Sequence, residues 1–71
     1  MIQGINNHFS FEGTTQEVID HVRWCRNNLG ELGVDWEFAS SRLGKKIDVW
    51  IVHNKTATWY TLKFAKAKSL S

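Results

Sequence analysis

The chain contains no proline and a single cysteine, Cys25. Without proline, nothing in the sequence forbids long regular elements. A lone cysteine excludes an intramolecular disulfide, and a free thiol suits a reducing compartment. Long apolar runs are missing as well, since none approaches the roughly 18 residues of a membrane span. The opening stretch, Met1 to Phe11, has neither the charged start nor the apolar core of a signal peptide. The expectation is a cytoplasmic protein that makes no use of a membrane.

The motifs of common chemistries are missing too. There is no GxGxxG and no Walker loop; Gly44-Lys45, inside Arg42 to Lys46, lacks the upstream glycine. His21 and Cys25 stand four apart, a spacing that can bind metal on a helix, but no CxxC or second histidine pair completes a zinc site. As a nucleophile and base the same pair lacks a third residue to orient the histidine. His8 and His53 read as ordinary strand-end residues. Asp35, Glu37 and Asp48 share one exposed side, but carboxylates do acid–base work only where a cleft separates their pKa values, and a flat sheet has none. No catalytic residue, metal ligand, cofactor or small-molecule substrate is therefore assigned, and the chain is not read as an enzyme.

What is present is apolar and aromatic. Hydrophobic residues make up 42 % and aromatics 13 %, including four tryptophans, which argues for a folded core rather than disorder. The 71 residues allow one domain, spanning 1–71. A domain of this size buries only about 60 % of its unfolded surface, so oligomerisation often supplies further stability. Charge is uneven. Residues 1–40 set Arg23 and Arg26 against six acids, a net of −4, whereas residues 41–71 set seven cations against Asp48, a net of +6.

The helix signal is the clearest. Thr14 followed by Glu17 matches a capping box. Val18, Val22, Cys25, Leu29 and Leu32 then recur at spacings of three and four, drawing one apolar stripe. A helix is predicted over about residues 15–32, with Gly33 as its left-handed cap, or Gly30 a turn earlier. A strand is expected at 5–12 before it. After it come strands at 34–38, 47–53 and 56–64, the last two joined by a tight turn at Asn54-Lys55. That register sets Trp50 opposite Trp59. The tail, 65–71, reads as frayed and basic.

The predicted fold is α+β, ordered β-α-β-β-β: a mostly antiparallel four-stranded sheet with one helix packed on one face. The covered face takes Phe9, Phe11, Val34, Trp36, Phe38, Ile47, Val49, Ile51, Tyr60, Leu62 and Phe64. The open face carries Trp50, Val52, Ala57 and Trp59 among polar neighbours, and a contiguous apolar patch on a small domain marks an interface. Trp24 falls off the helix stripe, either covered by Met1 to Gly4 or offered to a partner. The expected function is a small protein-binding module contacting its partner through Trp50, Trp59, Val52 and Trp24. Burying the Trp50–Trp59 face would make it a homodimer or seat it on another protein. Its size fits the short accessory proteins of phage genomes, inhibitors or modulators of a host protein, with no motif behind that likeness. The alternative is a nucleic-acid binder that stacks bases on Trp50 and Trp59 and holds phosphates with Arg42, Lys45, Lys46, Lys63, Lys66 and Lys68.

Overall fold

Alternation governs the sheet. In β1 (Asn7–Glu12) Phe9 and Phe11 are buried between more exposed neighbours, and in β3 (Lys46–Ile51) Ile47, Val49 and Ile51 are buried in the same way. Period-two burial is what a sheet with one covered face produces. The computed structural model describes residues 7–70, so the start of the predicted first strand and Met1 to Gly4 lie outside the described residues. Between β1 and β3 come α1 (Thr15–Asn28) and β2 (Trp36–Ser40); after β3 come α2 (Asn54–Lys63) and a short β4 (Lys68–Ser69).

The sheet order is β2-β3-β1-β4, and every adjacent pair is antiparallel. Strands β1 and β2 therefore run parallel with β3 between them, and β3 and β4 run parallel with β1 between them. These are two interlocked split β-α-β units, the ferredoxin-like arrangement. Both helices lie on one face, where Trp36, Phe9, Phe11 and the β3 residues meet Val18, Cys25, Leu29, Ala57 and Tyr60 in a single core.

Helix α1 starts as its sequence dictates. Thr14 is the N-cap: its hydroxyl accepts from the Glu17 N–H at 3.2 Å, and the Glu17 carboxylate accepts from the Thr14 N–H at 2.9 Å. The helix ends earlier than the predicted residue 32. Leu29 caps it, its N–H bonded to the Cys25 carbonyl at 2.8 Å, and Gly30 follows at φ 105°. Only glycine fits there, because the Asp35 carboxylate occupies the space a Cβ would need. That carboxylate accepts from the Glu31 N–H at 2.8 Å and bonds His53 Nε2 at 3.0 Å. The segment 31–35 is thus a folded turn. Leu32 and Val34, expected in the core, are exposed at 44 % and 58 %.

The α+β class and the four-stranded antiparallel sheet stand as expected; the element at 56–64 does not. It is helix α2, not a strand, and Asn54-Lys55 begins that helix rather than turning a hairpin. Two physical reasons account for it. Strand β3 already pairs with β1 on one edge and β2 on the other, so no edge remains for a hairpin partner. A helix also puts Ala57, Tyr60 and Phe64 on one side at spacings of three and four, against the core. Thr58 and Thr61 donate their hydroxyls back down the helix, Thr58 to the Asn54 carbonyl at 3.1 Å and Thr61 to the Ala57 carbonyl at 2.8 Å. Intrinsic propensity differs by only tenths of a kcal/mol between such residues, and packing overrides it. Leu62, expected inside, is 79 % exposed. The fourth strand comes instead from the predicted frayed tail, where Ser69 and Lys68 pair with Phe9 and Ser10.

Candidate functional site

Trp24 is off the apolar stripe of α1 because a second helix lies there. At 100° per residue it sits about 120° round from Val18, on the flank that meets α2. Its ring meets Trp59 of α2 edge to face, with centroids 5.4 Å apart, and Phe64 at 5.1 Å. Phe64 in turn stacks on His21 at 3.8 Å, and His21 packs on Phe11 at 4.3 Å. The rings form a continuous file from the sheet out to the surface. Trp24 is partly buried in it, and Trp59 at its outer end is 50 % exposed. Leu62 lies one turn beyond Trp59 on the same side of α2, a spacing of three that makes the two neighbours. Lys55 and Lys63, both exposed, flank them.

His21 is the buried member of the file. Its Nε2 shares a 2.7 Å hydrogen bond with the Tyr60 hydroxyl, while Nδ1 has no partner among the described residues. Burial lowers its pKa from 6.5 to about 4, so the ring is neutral at pH 7. Burial also raises Tyr60 above its ordinary value, with neighbouring Cys25 adding to the effect. The Cys25 thiol itself is pushed up to about 12 by desolvation. His21 and Cys25 are both interior, and Cys25 stays a thiol, which is a poor nucleophile. Among the described residues no three His, Cys, Asp or Glu side chains are gathered where they could hold a metal ion.

Trp50 is on the other side of the sheet. On the open face it stands opposite His8 of β1, with the rings 4.6 Å apart and only 13° from parallel. Two rings stacked across neighbouring strands must both stand up from the sheet, so each covers one face of the other. His8 Nε2 also reaches Asp48 Oδ1 at 3.2 Å. Glu37 is opposite Trp50 on the β2 side, and Val52 follows just past the end of β3. The expected pairing of Trp50 with Trp59 is therefore corrected. A helix takes Trp59 to the covered side of the sheet, Ala57 is in the core, and no single surface can present both indoles. Asp35 leaves the open face as well, held in the 31–35 turn. Its carboxyl lies below the usual range, first because of the Glu31 N–H and then because of His53. His53 is accordingly a tied residue at the start of α2 rather than the end of a strand.

The cations fare differently. Scattered in the sequence, they converge in the fold. Lys46 is opposite Glu12 at the end of β1, and the adjacent Lys45 carbonyl accepts from the Gly13 N–H at 2.9 Å. Lys68 pairs with Ser10, and with Lys66 it borders a small cleft beside Glu12. Lys63 and Lys66 line a groove of about 570 Å³ with Glu17, Asp20, Trp24 and Phe64. Arg42 belongs to the turn between β2 and β3 at the same end. Acids are interleaved there, so the end is basic but mixed.

The sequence signal that could have placed Trp59 is the spacing Ala57–Tyr60–Phe64. The turn signal at Asn54-Lys55 competes with it and favours a hairpin. His21 was findable too: it lies between Val18 and Cys25 on the stripe, so its burial follows from their spacing. No known protein family, curated protein or solved structure gives a significant match to this chain.

Proposed function

We propose that the chain is a small protein-binding module whose docking surface is the outer face of α2, with Trp59 as its anchor. The observation that carries the reading is the Trp24–Trp59 contact: an indole held at 5.4 Å by a second, partly buried indole, yet itself half exposed. A rigid, half-exposed tryptophan loses little side-chain entropy on binding, and such residues dominate interface energies. The neighbouring Leu62, 79 % exposed, extends the patch, and Lys55 and Lys63 beside it favour a partner with an apolar pocket rimmed by acids. Such a module would act by occupying its partner's surface, as a small inhibitor or modulator does. Self-association through the same face is its simplest form. A cytoplasmic setting, where Cys25 stays reduced, completes the proposal.

The test compares wild type with Trp59→Ser, both checked for folding by circular dichroism. Proteins co-purified from the native host are quantified for each, alongside sedimentation at rising concentration. Loss of a protein partner, or of a dimer, on Trp59→Ser supports the reading. A partner and an oligomeric state indifferent to this change would overturn it.

The convergence of Lys45, Lys46, Lys66 and Lys68 at one end keeps nucleic-acid binding as a second reading. Phosphate contacts make affinity fall steeply with salt. Retention that collapses in moderate salt and after nuclease treatment, but survives Trp59→Ser, would favour it.

A further inference from the structure

Strand β2 is an edge of the sheet, and half of its backbone faces outward. Along the β2–β3 ladder the Ser41 N–H bonds the Lys46 carbonyl at 2.8 Å and the Val52 N–H bonds the Asp35 carbonyl at 3.0 Å. Hydrogen-bonded and non-bonded pairs alternate in an antiparallel ladder. Glu37 and Ala39 therefore turn their backbone groups toward β3, while Trp36, Phe38 and Ser40 turn theirs away. The Trp36 carbonyl is taken by the Gly33 N–H at 2.7 Å. Among the described residues, no protein group takes the outward N–H and C=O groups of Phe38 and Ser40. Exposed edges usually carry a lysine, a proline or a bulge against unwanted pairing. Strand β2, Trp-Glu-Phe-Ala-Ser, has neither lysine nor proline, its one charge, Glu37, stands on the open face away from the helices, and its pairing with β3 runs unbroken.

Beside this edge runs a groove of about 420 Å³ between β2 and α1. Ile19, Val22 and Phe38 give it an apolar floor, and Arg23 and Arg26 line it from α1. Among the described residues no carboxylate lines it and neither arginine is in an ion pair. Two guanidiniums with no ion-pair partner among the described residues, above an apolar floor at an open sheet edge, define both the shape and the charge of what fits.

We propose that the β2 edge receives an extended acidic peptide segment of a partner protein as a fifth strand. Its backbone pairs with Phe38 and Ser40, and every second side chain turns to the groove, where apolar ones lie over Ile19 and Val22 and carboxylates meet Arg23 and Arg26. A second copy of this chain is a poorer occupant. Edge-to-edge pairing about a two-fold axis sets the two α1 helices side by side on the same face, arginine flank against arginine flank. The groove lies on the flank of α1 away from α2, so the inference stands independently of Trp59.

The probe is the blocked heptapeptide Val-Thr-Glu-Thr-Val-Thr-Glu, which puts valine and glutamate on one face and threonine on the other, beside its counterpart with lysine in place of glutamate. Binding to the whole chain is followed by amide chemical shifts and titration calorimetry. The glutamate peptide should bind, shift the Phe38 and Ser40 amides, and exceed the lysine peptide by tenfold or more. The double variant Arg23→Glu, Arg26→Glu should reverse that preference, which also shows that it is folded. N-methylation of alternate peptide nitrogens should abolish binding in one of the two possible frames. Equal binding of the two peptides, no binding at millimolar concentration, or indifference to N-methylation in both frames would overturn the proposal. A dimer of the free protein that the glutamate peptide does not dissociate would overturn it in favour of a second copy.

Discussion

Lowering the pH from 7.5 to 5 should destabilise this domain through one residue, His21. Its ring is enclosed by Phe11 and Phe64 and bonded to Tyr60, with 1 % of its surface exposed. The folded-state pKa falls from 6.5 to about 4 because burial strips the charged ring of its solvation. The unfolded chain thus binds a proton between those values and the folded chain does not, so stability falls as the solution becomes more acid. The full difference is about 3 kcal/mol, of which about 2 kcal/mol is already lost at pH 5. That is a large share for a domain whose total stability is expected at the low end of roughly 5–15 kcal/mol. Urea unfolding at pH 7.5, 6 and 5 measures it, with the m-value checked for constancy. The control is the His21→Phe, Tyr60→Phe double variant, which removes the titrating group and leaves no orphaned hydroxyl. Wild type should lose about 2 kcal/mol between pH 7.5 and 5, and the double variant should lose far less. A flat profile for wild type, or the same slope in the double variant, would refute the assignment of this dependence to His21.

Three further outcomes follow from particular contacts. Thr14→Ala removes the hydroxyl that caps the Glu17 N–H and should destabilise by about 1 kcal/mol in urea unfolding. Gly30→Ala should cost more, about 1–2 kcal/mol for the positive φ alone, because the new Cβ also meets Asp35; a neutral result would mean that the α1 terminus is built differently. Cys25, fully buried and held as a thiol, should react with a thiol reagent only as fast as the protein opens, and rapidly in denaturant. Labelling at a free-thiol rate in native buffer would contradict its place in the core.

Much of the fold was legible in one dimension because its signals are local. The Thr14–Glu17 box, the stripe through Val18, Cys25 and Leu29, and the alternation of Ile47, Val49 and Ile51 each depend on residues within a turn or a strand of one another. Backbone geometry turns such spacings into faces without reference to the rest of the chain. The class, the start of α1, the strands β1 to β3 and the interior place of Cys25 follow from them. Gly30, too, announced itself as a possible helix end, and its close approach to Asp35 shows why the helix stops there and not at Gly33.

What only the tertiary structure decided was the identity of the segment from Thr56 to Phe64 and, with it, the surface. Its local preference for strand is worth little, and the outcome turns on competition for a place. Strand β3 has two edges, β1 and β2 occupy both, and the segment can bury Tyr60 and Ala57 only as a helix. That one exchange carries Trp59 through the plane of the sheet to Trp24, leaves Trp50 stacked on His8, and frees the tail to supply β4. It also brings together cations that are far apart in sequence. A tryptophan's neighbours, unlike its periodicity, are set by which edges and faces other elements have already taken, and no reading confined to sequence spacing contains that information.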